Sequence, residues 1–472
     1  MITLARSSKH GRHSPHQAGA ECRRVLSEVE RDFIRLANDP HFERWRSQVV
    51  HTGGCESPVY LSGYSNRYDE RGALTSQYTT RDEPGGRIAV RCRNRRKSQC
   101  VPCSHLHSGD AYQIVRTGII GGKGTPESVT AHPQVFVTLT APSFGAVHRT
   151  GSEPCRKATP NATCPHGRSL ACQKRHEKGD FLTGSALCQE CYDYAGHVLW
   201  HAHAGELWNR TVRNVRRTLA DMAGVQRSRL NDHLRLTFAK VAEYQNRGAI
   251  HFHALMRLDG PGGPSEPPPA WATSELLETA VRAARDATTA PLRHSGAVGA
   301  RAFAWGRQMD CRALGRAGSE PITPESVAGY LAKYTSKSVS DSGGIDTRIR
   351  SYEEIRCASA SPHIRALMGA CWRLGSLPEF ADLRLKEWAH ALGFRGHVLT
   401  KSPSYSTTFG RLREIRAEFT RARVGELGPG ATFVLSAWRY VGSGYTPAEK
   451  EIAAGVREDQ EEIRRTKRLG LE

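Results

Sequence analysis

Residues 234–257, LRLTFAKVAEYQNRGAIHFHALMR, decide how the rest of this chain is read. Leu234, Leu236 and Phe238 alternate with their neighbours before Gln245-Asn246-Arg247-Gly248, and Ile250, Phe252, Ala254 and Met256 alternate after it. A period of two marks a strand with one buried face, and two such runs flanking a short turn containing glycine predict a hairpin. Residues of like parity then share a face, which sets Glu243 beside His251 and His253. One carboxylate and two imidazoles make a mixed oxygen and nitrogen site of the kind that suits Mn²⁺ or Mg²⁺. Spacing alone does not exclude zinc, and Gln245, of the same parity, is the rival third ligand. The plainer alternative is a surface hairpin carrying two solvated histidines.

A histidine-x-histidine triplet has little value without such context, because 21 histidines in 472 residues produce about one by chance. Two more occur. His105-Leu106-His107 follows a CxxC and reads as part of a loop or knuckle, while His201-Ala202-His203 falls within a helical pattern, where residues two apart point in different directions. Downstream, Gly329 to Lys337 (GYLAKYTSK) places Tyr330, Lys333, Tyr334 and Lys337 three and four apart, so that two phenols and two ammonium groups line one helix face. The helix opens at Thr323-Pro324-Glu325, a capping residue followed by a first-turn proline. Such a face also describes an ordinary amphipathic helix with half-buried tyrosines and solvated lysines.

The chain has 13 cysteines, and most fall into two groups. Cys92, Cys100 and Cys103, with Cys55 as fourth member, form the first; Cys164, Cys172, Cys188 and Cys191 form the second, in which Cys155 and His166 are able to substitute. A CxxC lets two thiolates reach one tetrahedral ion from a tight turn, and each group ends in one. Two structural zinc ions are therefore expected. Cys22, Cys311, Cys357 and Cys371 have no partner spacing and read as packing residues.

Net charge is +20, from 67 Lys and Arg against 47 Asp and Glu, which implies a polyanionic partner, nucleic acid rather than membrane. The first 20 residues lack the apolar core of a secretion signal, and no run of 18 apolar residues occurs, so a cytoplasmic protein with reduced cysteines is expected. Gly118 to Thr125 does not match a phosphate-binding loop, because Lys123 is followed by Gly124 where Ser or Thr is needed; it reads as a flexible turn. Four regions are expected: a basic tail and helices over 1–50; a first zinc module over 51–130; a core over 131–340 with a second zinc module inserted at 150–192; and a mostly helical C-terminal DNA-binding or accessory region over 341–472. Within that scheme Asp259 to Pro269 reads as a linker, Leu392 to Thr408 as a basic and aromatic stretch suited to single-stranded DNA, and Ala448 to Glu472 as a mobile charged helix.

Taken together these stretches resemble the HUH endonucleases, with Val135 to Thr140 (VFVTLT) as the first motif, His251-Phe252-His253 as the second and the tyrosine and lysine helix, in its two-tyrosine form, as the third. The resemblance is closest to the RepSA-like replication initiators of actinobacterial plasmids and integrative elements, carried by CRNRRKSQCVPC, FVTLTAPSFGAVH, CPHG, CYDYAGHVLWHAH, AEYQNRGAIHFHAL, GYLAKYTSK and LGFRGHVLTKSPSYSTT, which together span most of the chain. It implies an α+β fold in which a central antiparallel sheet, the HUH nickase core, carries both histidines between flanking helices, with zinc-binding insertions. It implies rolling-circle initiation: Mn²⁺ or Mg²⁺ at His251, His253 and Glu243, a nucleophilic Tyr330, a second transfer by Tyr334, and Lys333 against the phosphate. Which tyrosine attacks first does not follow from the sequence. Plasmid origin DNA, single- and double-stranded, and the host helicase and polymerase are the implied partners. The competing readings are a non-catalytic, zinc-dependent DNA-binding regulator and a transposase of the same nickase superfamily.

Overall fold

A computed structural model describes residues 26–157, 163–314, 323–423 and 433–469. The basic tail expected over the first 20 residues lies outside them, as does Cys22. Along the chain come α1 (Glu28–Ala37), α2 (Phe42–His51), β1 (Val59–Tyr68), β2 (Leu74–Thr79), β3 (Ile88–Val90), α3 (Val101–Ile120), β4 (Gln134–Thr140) and α4 (Tyr194–Met222). The hairpin strands follow as β5 (Arg235–Tyr244) and β6 (Ile250–Asp259), then α5 (Ser274–Ala287), β7 (Thr289–Ser295), β8 (Gly299–Ala304), β9 (Met309–Ala313) and α6 (Pro324–Thr335). The remainder is α7 (Tyr352–Arg356), α8 (Pro362–Leu374), β10 (Leu399–Lys401), α9 (Phe409–Arg423), β11 (Phe433–Ser443) and α10 (Pro447–Leu469).

The hairpin expected from the alternation is the centre of a five-stranded antiparallel sheet of order β10-β5-β6-β4-β9. Its two faces are covered by different helices. Phe252, Ala254 and Met256 of β6, with Val135, Val137 and Leu139 of β4, pack beneath α4, α5 and α8 in the largest core, where Trp200, Leu207 and Trp208 of α4 are buried. Fully burying one such side chain is worth about 1.5–3 kcal/mol, so this face holds the sheet in register. The opposite face sets Ala239, Val241 and Leu255 against Val115 and Ile119 of α3 and Val327, Ala328 and Leu331 of α6. The tyrosine helix is thus laid over the face that carries the histidines.

The far end of the hairpin is pinned by a buried ionic knot. Arg257 grips Asp259 through two hydrogen bonds of 2.6 and 2.9 Å, and its guanidinium also reaches the Gly118 carbonyl at the end of α3. His132 and the Thr237 hydroxyl complete the Asp259 shell at 2.8 and 3.0 Å. Burial alone would raise the pKa of Asp259, but these partners hold it below the ordinary carboxylate value.

Several local expectations change. His105-Leu106-His107 lies within α3, not in a loop, because Pro102 starts a helix straight from the CxxC. Gly118 to Ile120 belongs to the end of that helix, and only Gly121 to Thr125 is a turn, closed by reciprocal Gly122 and Thr125 hydrogen bonds. Asp259 to Pro269 is a compact turn rather than a spacer: Gly260 N–H donates to the Glu266 carbonyl at 2.8 Å. The mostly helical C-terminal region is not separate from the sheets, since β10 joins the central sheet and β11 pairs along all of β1. Nor is α10 detached, because Ala448, Ala453 and Val456 on its first turns pack against Leu36, Trp45 and Val49 of α1 and α2. Among the described residues no helix is long and apolar enough to cross a membrane.

Candidate metal centre and tyrosine helix

Glu243 of β5 stands directly opposite His251 of β6, and Val241 opposite His253, so strand parity delivers all three polar side chains to one patch. Glu243 Oε2 lies 2.8 Å from His251 Nε2 and 3.1 Å from His253 Nε2. The amide oxygen of Gln245 accepts from Arg247 Nε at 3.0 Å beside the turn. Burial disfavours the Glu243 carboxylate, yet its contacts with the two imidazoles outweigh that and hold its pKa at about 2. Burial lowers the pKa of His253, against the pull of Glu243, so at neutral pH its ring is uncharged and retains a lone pair for coordination.

The donor set fits a divalent cation. One ligand atom from each of the three side chains lies within 4.8 Å of the other two. With Nε2 of His253 directed into this cluster, its ring proton sits on Nδ1 and is donated to Thr138 Oγ1 at 3.0 Å, the outer hydrogen bond that fixes a ligand histidine. Thr138 belongs to the Thr-Leu-Thr run and pairs with His253 across the β4–β6 ladder. Its role was open to sequence reasoning only through that pairing. Phe136, two residues earlier on the same face, stacks on the His253 ring at 5.9 Å.

On α6, Thr323 caps the first turn by accepting from Ser326 N–H at 3.1 Å, and Pro324 follows it as the sequence predicts. Tyr330 is 42% exposed, and its hydroxyl lies 3.5 Å from His253 Nε2. Its ring stands edge-on to those of Phe136, His253 and Tyr334. Tyr334, one turn on, is buried and stacks on His253 at 5.5 Å; burial pushes its phenol well above the ordinary value. Lys337 reaches the centre, with Nζ 3.4 Å from Glu243 Oε1 and 4.7 Å from the Tyr334 ring centre. Lys333 instead stays exposed, 5.8 Å from that ring centre, and lines an open cleft of about 1790 Å³ together with Arg91, Lys97 and, from α10, Glu458, Glu461 and Glu462. Of the two lysines on the expected face, Lys337 therefore contacts the cluster and Lys333 faces outward.

The other two histidine triplets contribute no ligand here. His201 is a core residue satisfied at both nitrogens, Nδ1–H donating to the Leu392 carbonyl at 2.8 Å and Nε2 accepting from Ile250 N–H at 3.1 Å.

Cys55, Cys92, Cys100 and Cys103 converge as expected, with Cys55 Sγ 3.9 and 3.7 Å from the sulfurs of Cys100 and Cys103. Backbone N–H groups of Cys92, Asn94 and Glu56 point at sulfurs of this group at 3.3–3.4 Å, the environment of thiolates bound to a metal. The intervening loop is the clasp of the tyrosine helix. Arg95 donates to the carbonyls of Thr335 and Lys337, and Lys97 N–H donates to that of Ser336, occupying acceptors that a helix C-terminus leaves free.

The second cysteine group differs from its expected composition. Cys164, Cys188 and Cys191 are joined by His166, whose Nδ1 lies 3.2 Å from Cys191 Sγ and 3.8 Å from Cys188 Sγ. Cys172 is elsewhere, with His148, Cys155 and His176. Spacing could not separate these sets because their members interleave along the chain.

A family model described as RepSA, replication initiator protein, pSAM2, matches residues 41–458. A replication initiator protein from Streptomyces ambofaciens is 41% identical over 449 residues, covering 93% of this chain and 94% of the relative. No solved structure matches the chain.

Proposed function

The chain belongs to the RepSA family of replication initiators, and from that premise we propose that it begins rolling-circle replication by nicking one strand of plasmid origin DNA, as an HUH endonuclease and strand transferase. The observation that carries this reading is the half-exposed Tyr330, whose hydroxyl lies 3.5 Å from His253 of the cluster of Glu243, His251 and His253. The central antiparallel sheet, with both histidines on its middle strand and the tyrosine helix across them, supports the HUH assignment.

A bound Mn²⁺ or Mg²⁺ would supply Lewis-acid polarisation of the scissile phosphate. Glu243, His251 and His253 would hold that ion, with Thr138 keeping His253 in the ligating tautomer. The Tyr330 oxygen bonds to phosphorus as the bond to the 3′-oxygen breaks; the phenol gives up its proton and the departing oxygen takes one, leaving a 5′-phosphotyrosine and a free 3′-hydroxyl. Lys337, beside Glu243, and Lys333, at the mouth of the cleft, offset phosphate charge. Tyr334 serves the later strand transfer, since its burial and raised pKa leave Tyr330 as the accessible first nucleophile. A host polymerase extends the 3′-hydroxyl and a host helicase unwinds ahead of it. Zinc at the four-cysteine group and at the group of Cys164, His166, Cys188 and Cys191 is structural in this scheme.

The test is incubation with single-stranded origin DNA and either metal. One cut with the protein attached to the 5′ end is expected, abolished by EDTA. Tight origin binding with no cutting under either metal would instead make the chain a DNA-binding regulator. Cutting confined to the ends of a mobile element would point to transposition.

Loss of the first zinc group should be felt at the tyrosine. Cys103→Ser is expected to release one zinc and to slow adduct formation by about 10- to 100-fold, because Arg95 and Lys97 no longer fix the end of α6 and a displacement of about 1 Å costs that much. Arg95→Ala should slow the reaction with zinc retained. Normal adduct rates in zinc-depleted Cys103→Ser would refute the clasp.

A further inference from the structure

We infer that His148, Cys155, Cys172 and His176 form a separate zinc site, with two thiolate and two imidazole ligands, so that the insertion between β4 and α4 carries two metal centres in place of the one its cysteines suggested. Such a site belongs to the scaffold and is independent of the nicking chemistry.

His148 Nδ1 lies 3.1 Å from His176 Nε2 and 3.8 Å from Cys155 Sγ, while Cys172 Sγ is 3.4 Å from His176 Nε2. All four ligand atoms fall within 4.8 Å of one another. A tetrahedral zinc with bonds of about 2.0 Å to nitrogen and 2.3 Å to sulfur separates its ligand atoms by roughly 3.3–3.8 Å, and the cluster already sits near those values. The backbone brings the ligands together. Arg156 and Cys172 exchange reciprocal backbone hydrogen bonds of 2.9 and 3.0 Å, which sets the segment of Cys155 alongside that of Cys172. Arg149 N–H points at Cys155 Sγ at 3.1 Å, as at a bound thiolate.

The outer contacts agree. His176 is buried, and its Nδ1 is bonded to Asp180 Oδ2 at 2.6 Å, leaving Nε2 directed at the cluster. A carboxylate on the far nitrogen is how proteins orient a zinc-ligating histidine and raise its basicity. The surroundings offer little apolar cohesion beyond Val147 and Ala186, which pack against the main core. Between residues 145 and 191, the only buried hydrophobic residues among those described are Cys164 and Cys188, and Phe181 is 79% exposed. A segment of this size without an apolar core requires staples, and in a reduced chain metal centres serve that purpose.

The position gives the site a consequence. His148 lies shortly after β4, and the same insertion seats Gly184 so closely on the turn of the central hairpin that a Cβ there would lie 2.2 Å from the Asn246 carbonyl oxygen. Arg247 of that turn donates to the carbonyls of Ala141 and Pro142. Zinc at the mixed cysteine and histidine cluster thus fixes the insertion as a wall beside the strand ends that carry Glu243 and His251.

The experiment counts zinc by native mass spectrometry in wild type, Cys172→Ser, Cys191→Ser and the double variant. Two separate sites predict that each single change removes one zinc and the double change removes two. A double variant that has lost only one zinc, or Cys172→Ser with the wild-type count, overturns the inference. Should Cys172→Ser fail to fold, alkylation of the wild-type thiols decides. Cys155 and Cys172 should be protected until a chelator is added. Immediate modification of both, or a disulfide joining them in protein kept under reductant, overturns it equally.

Discussion

Tyr330→Phe is expected to eliminate the covalent DNA adduct, a loss of at least about four powers of ten in cutting, because nothing replaces a deleted nucleophile. The change removes one oxygen and leaves the ring, so the edge contacts to Phe136, His253 and Tyr334 persist. Folding, zinc content and DNA affinity should therefore match wild type, which separates a chemical defect from a structural one. Tyr334→Phe should behave differently. Its side chain is buried, and the phenol is held above its ordinary pKa by burial first and then by the neighbouring Tyr330 and Glu243. The first cut should proceed within about tenfold of wild type, while transfer of the captured strand to a second end fails. Denaturing gels of labelled origin DNA read both steps. An adduct formed by the doubly substituted protein would rule out both phenols and the mechanism with them.

What the sequence revealed here, and what it hid, follows from the range of the interactions involved. The placement of Glu243, His251 and His253 was legible because strand parity is local and a four-residue turn sets the register. The Tyr330 face was legible from helical spacing, but its contact with His253 was not, since that depends on α6 crossing the sheet above β5 and β6. Parity also left Gln245 as a rival ligand, and its contact with Arg247 was not legible from it. The cysteine groups divide in the same way. Cys55 joined its set because no competing ligand lies near, whereas Cys172 was assigned to the wrong neighbours because His148 and His176 carry no CxxC signal. The pairing of β11 with β1 is the extreme case: strand-forming residues such as Phe433, Val434, Trp438 and Tyr440 were in view, but nothing local says that they return to the N-terminal strand.

His251→Ala and His253→Ala are each expected to slow nicking by at least two powers of ten, since metal stabilisation of a phosphate is worth several kcal/mol. The structure predicts that the two variants will not be equivalent. His251 is partly exposed, its Nδ1 has no hydrogen-bond partner, and it is bonded to Glu243 through Nε2, so its loss weakens one ligand position and little else. Raising Mn²⁺ should then recover much of its rate. His253 is buried; it is tied to Thr138, stacks between Phe136 and Tyr334, and lies against the Tyr330 hydroxyl. Its removal opens a cavity beneath both tyrosines and frees the nucleophile as well as the ligand position. Added Mn²⁺ should restore little, and the thermal midpoint should fall with the activity. Glu243→Gln offers a third contrast, because it keeps the shape while removing the negative charge that pairs with Lys337 and faces the two imidazoles. Single-turnover rates measured across a Mn²⁺ titration distinguish the three. Equal, fully metal-rescuable defects at His251 and His253 would show that His253 serves only as a ligand, and wild-type rates in either variant would remove the metal centre from the chemistry altogether.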